Sequence, residues 1–227
     1  MNILKQKAVA FFERGMAKTA DILDVRHWHN RTLVEADLHI PDANMHKWDA
    51  VQHIKVKVAE YTYRDYTPAL WDADTRTCTL FIDAGHSGPG SAWARSLSPG
   101  DRLTYLGIGP TPHKPVPGVG VYCLGDSSTI GHFLALEQLA EGKSPVHGAL
   151  CLTNGRHQAE FSQYFRTALQ PVNGESYHSL RAWLTEHPVS GGTVYIAGHI
   201  PTVIQLRKYI KRLDGFKGTV KAQGFWD

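Results

Sequence analysis

The chain has 227 residues, of which 42% are hydrophobic and 10% aromatic, and its formal net charge is +3. This length suits one large or two small soluble domains, and the weak positive charge argues against a dedicated nucleic-acid binder. No apolar run approaches the roughly 20 residues of a membrane span, and the N-terminus lacks a signal-peptide pattern, so no membrane partner is expected. The cysteines (Cys78, Cys123, Cys151) lie far apart in apolar segments, which predicts buried, reduced thiols and a cytoplasmic location, and the scattered histidines predict no metal site.

The first half of the chain has the pattern of a small β-barrel. Residues 1–23 mix apolar residues with Lys and Arg, which predicts a short amphipathic helix that packs on the rest of the protein. Alternating segments follow at 31–40, 51–61, 78–85 and 101–109, separated by turn-forming residues, and they predict antiparallel strands.

An extended segment, YRDYTPALW at residues 63–71, combines a cation, an aromatic ring and a hydroxyl. In a strand, Arg64 and Tyr66 share one face and Thr67 lies on the other. The shared face suits a ligand with an anionic part and a planar part. An edge strand with an exposed Arg and a half-buried Tyr is the alternative.

The glycine-rich stretch HSGPGSAWARS, residues 86–96, is a second candidate for binding an anion. Gly88 and Gly90 allow close approach of the backbone to a ligand, and we predict that a short helix begins near Ser91. Free N–H groups at a helix start, together with a Ser hydroxyl, suit a phosphate. A loop that Ser91 merely caps is the alternative.

The second half of the chain alternates strand and helix patterns. Residues 110–119 are rich in Pro and Gly and predict a linker. The alternation after the linker predicts a parallel sheet covered by helices. We therefore predict a barrel domain over residues 1–109 and a compact α/β domain over residues 120–227.

Several stretches carry a family resemblance in their order along the chain: RDYTPA, GPGSAWA with SPGDRL, CLGDSSTIGHFLALEQL, VYIAGHIPTVIQLRKYI and the terminal GFWD. They resemble the ferredoxin-reductase-like flavoproteins, and most closely the siderophore-interacting, FAD-binding ferric reductases. This resemblance implies an antiparallel flavin-binding barrel followed by a small parallel-sheet domain that is similar to NAD(P)H-binding domains.

The resemblance also implies which residues contact the flavin. Arg64 would neutralise the FAD pyrophosphate, Tyr66 would stack on the isoalloxazine, and Thr67 would hydrogen-bond near its N5 edge. The helix start would hold the pyrophosphate, and an aromatic residue of the C-terminus would lie near the isoalloxazine, which adds Gly90, Ser91, Ala92, Trp93, and Phe225 or Trp226.

Two departures from the family pattern concern the same site. The family motif usually closes with a second Arg, where this chain has Ala69 followed by Leu70. A family His corresponds to Ala84 here, and His86 is close enough to replace it.

The α/β domain contains candidate nucleotide contacts. Asp126 ends a predicted strand, and Ser127, Ser128 and Thr129 after it would either bind phosphate or simply cap the next helix. At the next strand end, Thr153 and Arg156 stand with His157 where an NAD site would place an acidic residue, which favours NADPH. Ser127 and Gly131 replace the usual acidic residue and Pro of the family.

The substrate contacts predicted from the sequence are cationic. His53, Lys55 and Lys57 share a strand face and, with His113 and Lys114 of the linker, would form a wall for an anionic ferric chelate. A solvated strand face is the alternative.

The function implied is an FAD-dependent reductase of ferric siderophores, supplied by NADPH or a ferredoxin, which releases iron as weakly chelated Fe(II). No protein residue need act as a catalytic acid or base. The alternatives are a general NAD(P)H-dependent flavin or ferredoxin-type reductase and a non-catalytic flavin- or siderophore-binding module.

Overall fold

A computed structural model describes residues 15–227 of the chain. The chain divides into two compact units, Met1–Thr111 and Pro112–Asp227. The first unit contains a seven-stranded sheet in which every neighbouring pair is antiparallel, with the order β4–β3–β7–β1–β2–β6–β5. Its elements are β1 (Lys18–His27), β2 (Leu33–His39), β3 (Gln52–Ala59), β4 (Thr62–Tyr66), β5 (Pro68–Asp72), β6 (Thr77–Asp83), α1 (Pro89–Ser96) and β7 (Arg102–Pro110).

Strand β1 corrects the last part of the predicted N-terminal helix. Residues 1–14 lie outside the described part of the chain, but the predicted helix also covered residues 18–23, which are in β1. Ala20 and Ile22 point into the core at 1% exposure each, with the spacing of two that a strand requires. Pairing with β2 on one side and β7 on the other satisfies the backbone, and these contacts outweigh the amphipathic pattern.

The barrel core is formed by the inward-facing residues of these strands and is closed by α1. Ile54 and Val56 of β3 are fully buried, and Ala94 of α1 belongs to the same apolar cluster. Helix α1 packs against β3, β4 and β6. The start of α1 therefore lies beside β4, which brings the two candidate binding motifs of this unit together.

The second unit contains a five-stranded parallel sheet in the order β10–β9–β8–β11–β12. Its elements are β8 (Val121–Asp126), α2 (Ile130–Ala140), β9 (Val146–Cys151), α3 (Gly155–Tyr164), β10 (Leu169–Val172), α4 (Ser176–Glu186), β11 (Thr193–His199), α5 (Ile200–Ile210) and β12 (Thr219–Trp226). The predicted class, an antiparallel barrel plus a parallel α/β unit, is confirmed. Helix α3 and strand β10 were not predicted from the sequence.

The predicted burial of the cysteines is confirmed. All three cysteines are free and buried. No helix of residues 15–227 is long and apolar enough to cross a membrane. Within the same residues, no group of three or more His, Cys, Asp or Glu side chains is arranged to hold a metal ion.

Candidate functional site

The two motifs of the first unit meet at Gly90. A Cβ placed on Gly90 would lie 2.8 Å from the hydroxyl oxygen of Tyr66 and 3.4 Å from Cγ of Arg64. Arg64 and Tyr66 are two residues apart on β4 and lie opposite Val56 and Ile54 of β3, so both side chains project to the same face. The arginine stem and the tyrosine ring thus flank the first turn of α1.

The start of α1 leaves backbone N–H groups available. The helix begins at Pro89, its N-cap is Gly88 with φ 151°, and no side chain caps it in the described structure. The N–H of Ala92 donates to the carbonyl oxygen of Gly88 at 3.0 Å. The N–H groups of Gly90 and Ser91 therefore precede the first hydrogen bond within the helix. Ser91 is the third helical residue and only 8% exposed, so the prediction of a helix start near Ser91 is confirmed, and the alternative that Ser91 merely caps a loop is wrong.

An aromatic pair lies beside this helix start. The rings of Tyr66 and Trp93 stack with centroids 5.6 Å apart and an angle of 22° between their planes. Burial raises the pKa of the Tyr66 phenol, and the opposing effect of the Arg64 charge is smaller. The hydroxyl is therefore protonated at neutral pH and can donate a hydrogen bond.

The positions next to Arg64 and Tyr66 explain the missing second arginine. Thr67 is half-buried between β4 and β5. Ala69 is fully buried and lies opposite Thr79 of β6, so a long cationic side chain at this position would have to be buried. Leu70 is 45% exposed and has φ 49°, so the outward position carries an apolar side chain.

His86 lies in the loop before α1. Its side chain is 54% exposed, and its Nε2 lies 3.6 Å from the carboxylate of Asp83. Ala84, where the family resemblance places a His, is fully buried, and its carbonyl accepts a hydrogen bond from Arg95 of α1. A side chain at position 84 would therefore point into the barrel, whereas His86 points to solvent.

The residues around Gly90 fit an FAD. The lack of a side chain at Gly90 lets the Tyr66 hydroxyl and the Arg64 stem lie directly against the backbone at the helix start. Arg64 and the helix N–H groups supply positive charge for a pyrophosphate. Tyr66 and Trp93 supply flat apolar surface for a ring system.

The predicted cationic row lies on the other face of the same strands. His53, Lys55 and Lys57 alternate with buried residues along β3, as expected. Lys55 lies opposite Asp65 and donates to its carboxylate at 2.9 Å, whereas Arg64 lies opposite Val56. The row therefore faces away from Arg64 and Tyr66, and part of its charge is neutralised.

In the second unit, the residues after β8 are organised by Asp126. Its carboxylate accepts hydrogen bonds from the N–H of Ser128 at 3.0 Å and from the Ser128 hydroxyl at 2.5 Å. It also accepts from the N–H of His199, at the end of β11, at 2.7 Å. Thr129 is fully buried and donates to the carbonyl of Asp126, and Ser127 opens the short turn between them. Asp126, rather than the following hydroxyl residues, is thus the cap.

The other predicted nucleotide contacts lie at the end of β9. Thr153 and Arg156 are exposed, and the side chain of Asn154 accepts from the N–H of Arg156 and so caps α3. His157, by contrast, is buried. Because β8 and β9 are parallel neighbours, Thr153 and Arg156 lie beyond the same, carboxyl-terminal end of the strands as Asp126.

His113 is buried rather than lining a substrate wall. Its Nδ1 lies 2.7 Å from Nε2 of His132 on α2, and the rings of Tyr195 and Phe225 complete the cluster. The carbonyl of Lys114 accepts from the hydroxyl of Tyr195, while the Lys114 side chain is exposed. His132 was not predicted as a partner, because no local sequence pattern links it to His113.

The C-terminal aromatics pack within the second unit. The ring of Phe225 contacts His132 with centroids 5.3 Å apart, and the ring of Trp226 contacts His199 at 4.5 Å. Their predicted place beside the isoalloxazine stays a prediction.

The comparisons with known proteins agree with this geometry. Residues 32–111 match the model of the siderophore-interacting FAD-binding domain. The siderophore-interacting protein from Acinetobacter baumannii is 14% identical, with a TM-score of 0.71 over 92% of this chain and 90% of that one. The siderophore-interacting protein SipS from Aeromonas hydrophila is 16% identical, with a TM-score of 0.70 over 93% of this chain and 98% of that one.

A third similar structure is that of a reductase. Phthalate dioxygenase reductase, described as a modular structure for electron transfer from pyridine nucleotides to a 2Fe–2S centre, is 14% identical. Its TM-score is 0.71 over 92% of this chain and 69% of that one, which shows the ferredoxin-reductase-like fold. A search of curated protein sequences gave no match. Within the first unit, residues 32–111 thus match the siderophore-interacting FAD-binding domain in sequence, and the chain as a whole has the ferredoxin-reductase-like fold.

Proposed function

We propose that the protein is a cytoplasmic FAD-dependent reductase of ferric siderophores. The observation that carries the proposal is the meeting of Arg64, Tyr66 and the start of α1 at Gly90, inside the residues that match the family model. The first unit would bind the FAD, and the second unit, which has the parallel-sheet fold, would serve the electron donor. NADPH and a ferredoxin are the two candidate donors.

The protein residues have binding and positioning roles in this proposal. Arg64 and the N–H groups of Gly90 and Ser91 would hold the pyrophosphate, while Tyr66 and Trp93 would present an apolar surface to the ring. Thr67 and His86 remain candidates for contacts at its edge. A bound flavin supplies the redox chemistry, because it takes up a pair of electrons and can pass them on singly.

The substrate class is proposed from the family and the neighbours. The matched family is described as siderophore-interacting, and two similar structures are siderophore-interacting proteins. Hard oxygen chelators hold Fe(II) far less well than Fe(III), so one-electron reduction is sufficient to release the metal.

The test of this proposal does not depend on which electron donor reduces the flavin. The purified protein should be yellow and should release FAD rather than FMN on denaturation, because FMN lacks the pyrophosphate that Arg64 and α1 suit. Its flavin is then reduced photochemically without oxygen and mixed with ferric catecholate, hydroxamate and carboxylate chelates in turn. Reoxidation of the flavin with stoichiometric capture of Fe(II) by a coloured chelator is expected. Protein that takes up no FAD, or reduced protein that is inert towards all three chelates, would contradict the proposal.

A general flavin-dependent reductase is the second candidate. The observation that favours it is the position of His53, Lys55 and Lys57 on the face of β3 opposite to Arg64 and Tyr66. If this row does not bind substrate, selectivity for an anionic chelate needs another source. Faster reduction of free flavins or quinones than of every ferric chelate would support this candidate.

A further inference from the structure

The parallel sheet of the second unit has its switch point between β8 and β11. The chain proceeds from β8 to β9 and β10 on one side, and β11 and β12 lie on the other side. In sheets of this kind, a nucleotide usually binds beyond the carboxyl ends of the strands at this point, and its phosphates accept from loop N–H groups.

In this protein, the N–H groups at that point already have an internal acceptor. The Asp126 carboxylate accepts from the N–H of Ser128, which follows β8, and from the N–H of His199, which ends β11. The Ser128 hydroxyl donates to the same carboxylate. Asp126 is only 5% exposed, so this anion is held within the protein.

The space above the two glycines of these strands is also occupied. A Cβ on Gly198, whose φ is 109°, would collide with the Asp126 carboxylate, whose Oδ1 lies 2.8 Å away. A Cβ on Gly125 would collide with the Thr129 hydroxyl and lie 2.7 Å from the Phe133 ring. Glycines leave room for a pyrophosphate in dinucleotide sites, but here that room is filled by the chain's own side chains.

We infer that the Asp126 carboxylate takes the place of a nucleotide phosphate and excludes a dinucleotide pyrophosphate from the loop after β8. An incoming phosphate would have to displace an anion that accepts three hydrogen bonds, or lie against it in a site with little water, where like charges repel strongly. The proposed reductase function makes NADPH the relevant nucleotide, and the inference rests on that proposal only in this respect.

Calorimetric titration with NADPH at fixed, low salt tests the inference. We expect no saturable binding to the intact protein below roughly 1 mM. Asp126→Asn removes the negative charge, and Asp126→Ala also releases the N–H of His199, so NADPH should bind both variants at least about tenfold more tightly. Asp214→Asn is the matched control, because it removes an exposed carboxylate from the same unit and should change nothing. Ser128→Ala removes one donor to Asp126 but leaves its charge, so it should not improve binding.

The outcomes that overturn the inference are distinct. Micromolar binding to the intact protein that is weakened or unchanged by Asp126→Asn would mean that the carboxylate supports the nucleotide. Equally weak binding by the intact protein and both Asp126 variants would mean that exclusion does not depend on Asp126. If the variants do not fold, the amide NMR signals of Ser128 and His199 are followed in the intact protein, where saturating NADPH should not shift them, and a shift would refute the inference. Because the reductase test uses photoreduced flavin, it fails or succeeds independently of these results.

Discussion

Acidification should destabilise the second unit through its buried histidine pair. His113 is fully buried and His132 is only 1% exposed. The two rings are hydrogen-bonded to each other and are surrounded by the rings of Tyr195 and Phe225. Burial, with a smaller effect of the Lys221 charge, lowers the pKa of His113 from 6.5 to about 4. Burial, with the added effect of His113, also lowers the pKa of His132 well below its usual value.

The sign and size of the effect follow from these shifts. A histidine with a lowered pKa binds fewer protons in the folded than in the unfolded state, so stability is complete above pH 6.5 and falls as the pH drops towards 4. For His113 alone, the free energy of unfolding should decrease by about 2 to 3 kcal/mol between roughly pH 7.5 and 4.5. His132 acts in the same direction.

Amide exchange in β8 and β11 provides the assay, because it reports the second unit by itself. The variant carrying His113→Phe and His132→Leu replaces both partners by apolar groups, so it should lose less stability on acidification than the unmodified protein. His147→Gln is the control, since His147 is exposed. Parallel loss of protection in the unmodified protein and the double variant would refute the assignment.

Three further predictions concern the candidate flavin site and the thiols. Arg64→Ala should weaken FAD binding by about 1.5 to 3 kcal/mol, the scale of a hydrogen bond to a charged group. Fluorescence titration measures this loss of affinity, and an equal loss in Arg102→Ala, which changes an exposed arginine of the same unit, would contradict the prediction. Gly90→Val should destabilise the first unit by about 1 to 3 kcal/mol and weaken FAD binding, because the new side chain overlaps the Tyr66 hydroxyl; thermal unfolding and the same titration decide it. A colorimetric thiol reagent should find no reactive thiol before unfolding, because burial raises the pKa of each: Cys78, Cys123 and Cys151. Rapid reaction of any thiol in the folded protein would show that it is accessible.

The fold and the flavin motifs were predictable because their signals are local or follow chain order. Alternation along β3 identified His53, Lys55 and Lys57 as one face, and the structure agrees. Their relation to Arg64 was not predictable, because it depends on the register between β3 and β4. A slip of one residue would place the row on the same face as Arg64, and the observed register includes an irregularity between Lys57 and Ala59.

The remaining errors have non-local causes. The segment around His113 contains prolines, which is typical of an exposed linker. The His113 side chain is nevertheless buried, because it packs against His132 of α2 and Tyr195 of β11. The residues of β1 have an amphipathic pattern, and only their pairing with β2 and β7 decides that they form a strand. The role of Asp126 was missed because the N–H of His199 comes from a strand that is distant in sequence.

The two candidate anion sites of this chain differ in whether the protein itself supplies the anion. In the first unit, β4 and β5 carry a single arginine, because Ala69 is fully buried and the exposed position next to it is Leu70. A pyrophosphate there must rely on Arg64 and the N–H groups of α1, so the loss of Arg64 has no second guanidinium on these strands to offset it. In the second unit, the N–H groups of Ser128 and His199 already donate to the chain's own carboxylate, that of Asp126. The first site thus needs an external anion to complete it and the second does not, which is why flavin binding and nucleotide binding are expected to respond independently to substitution.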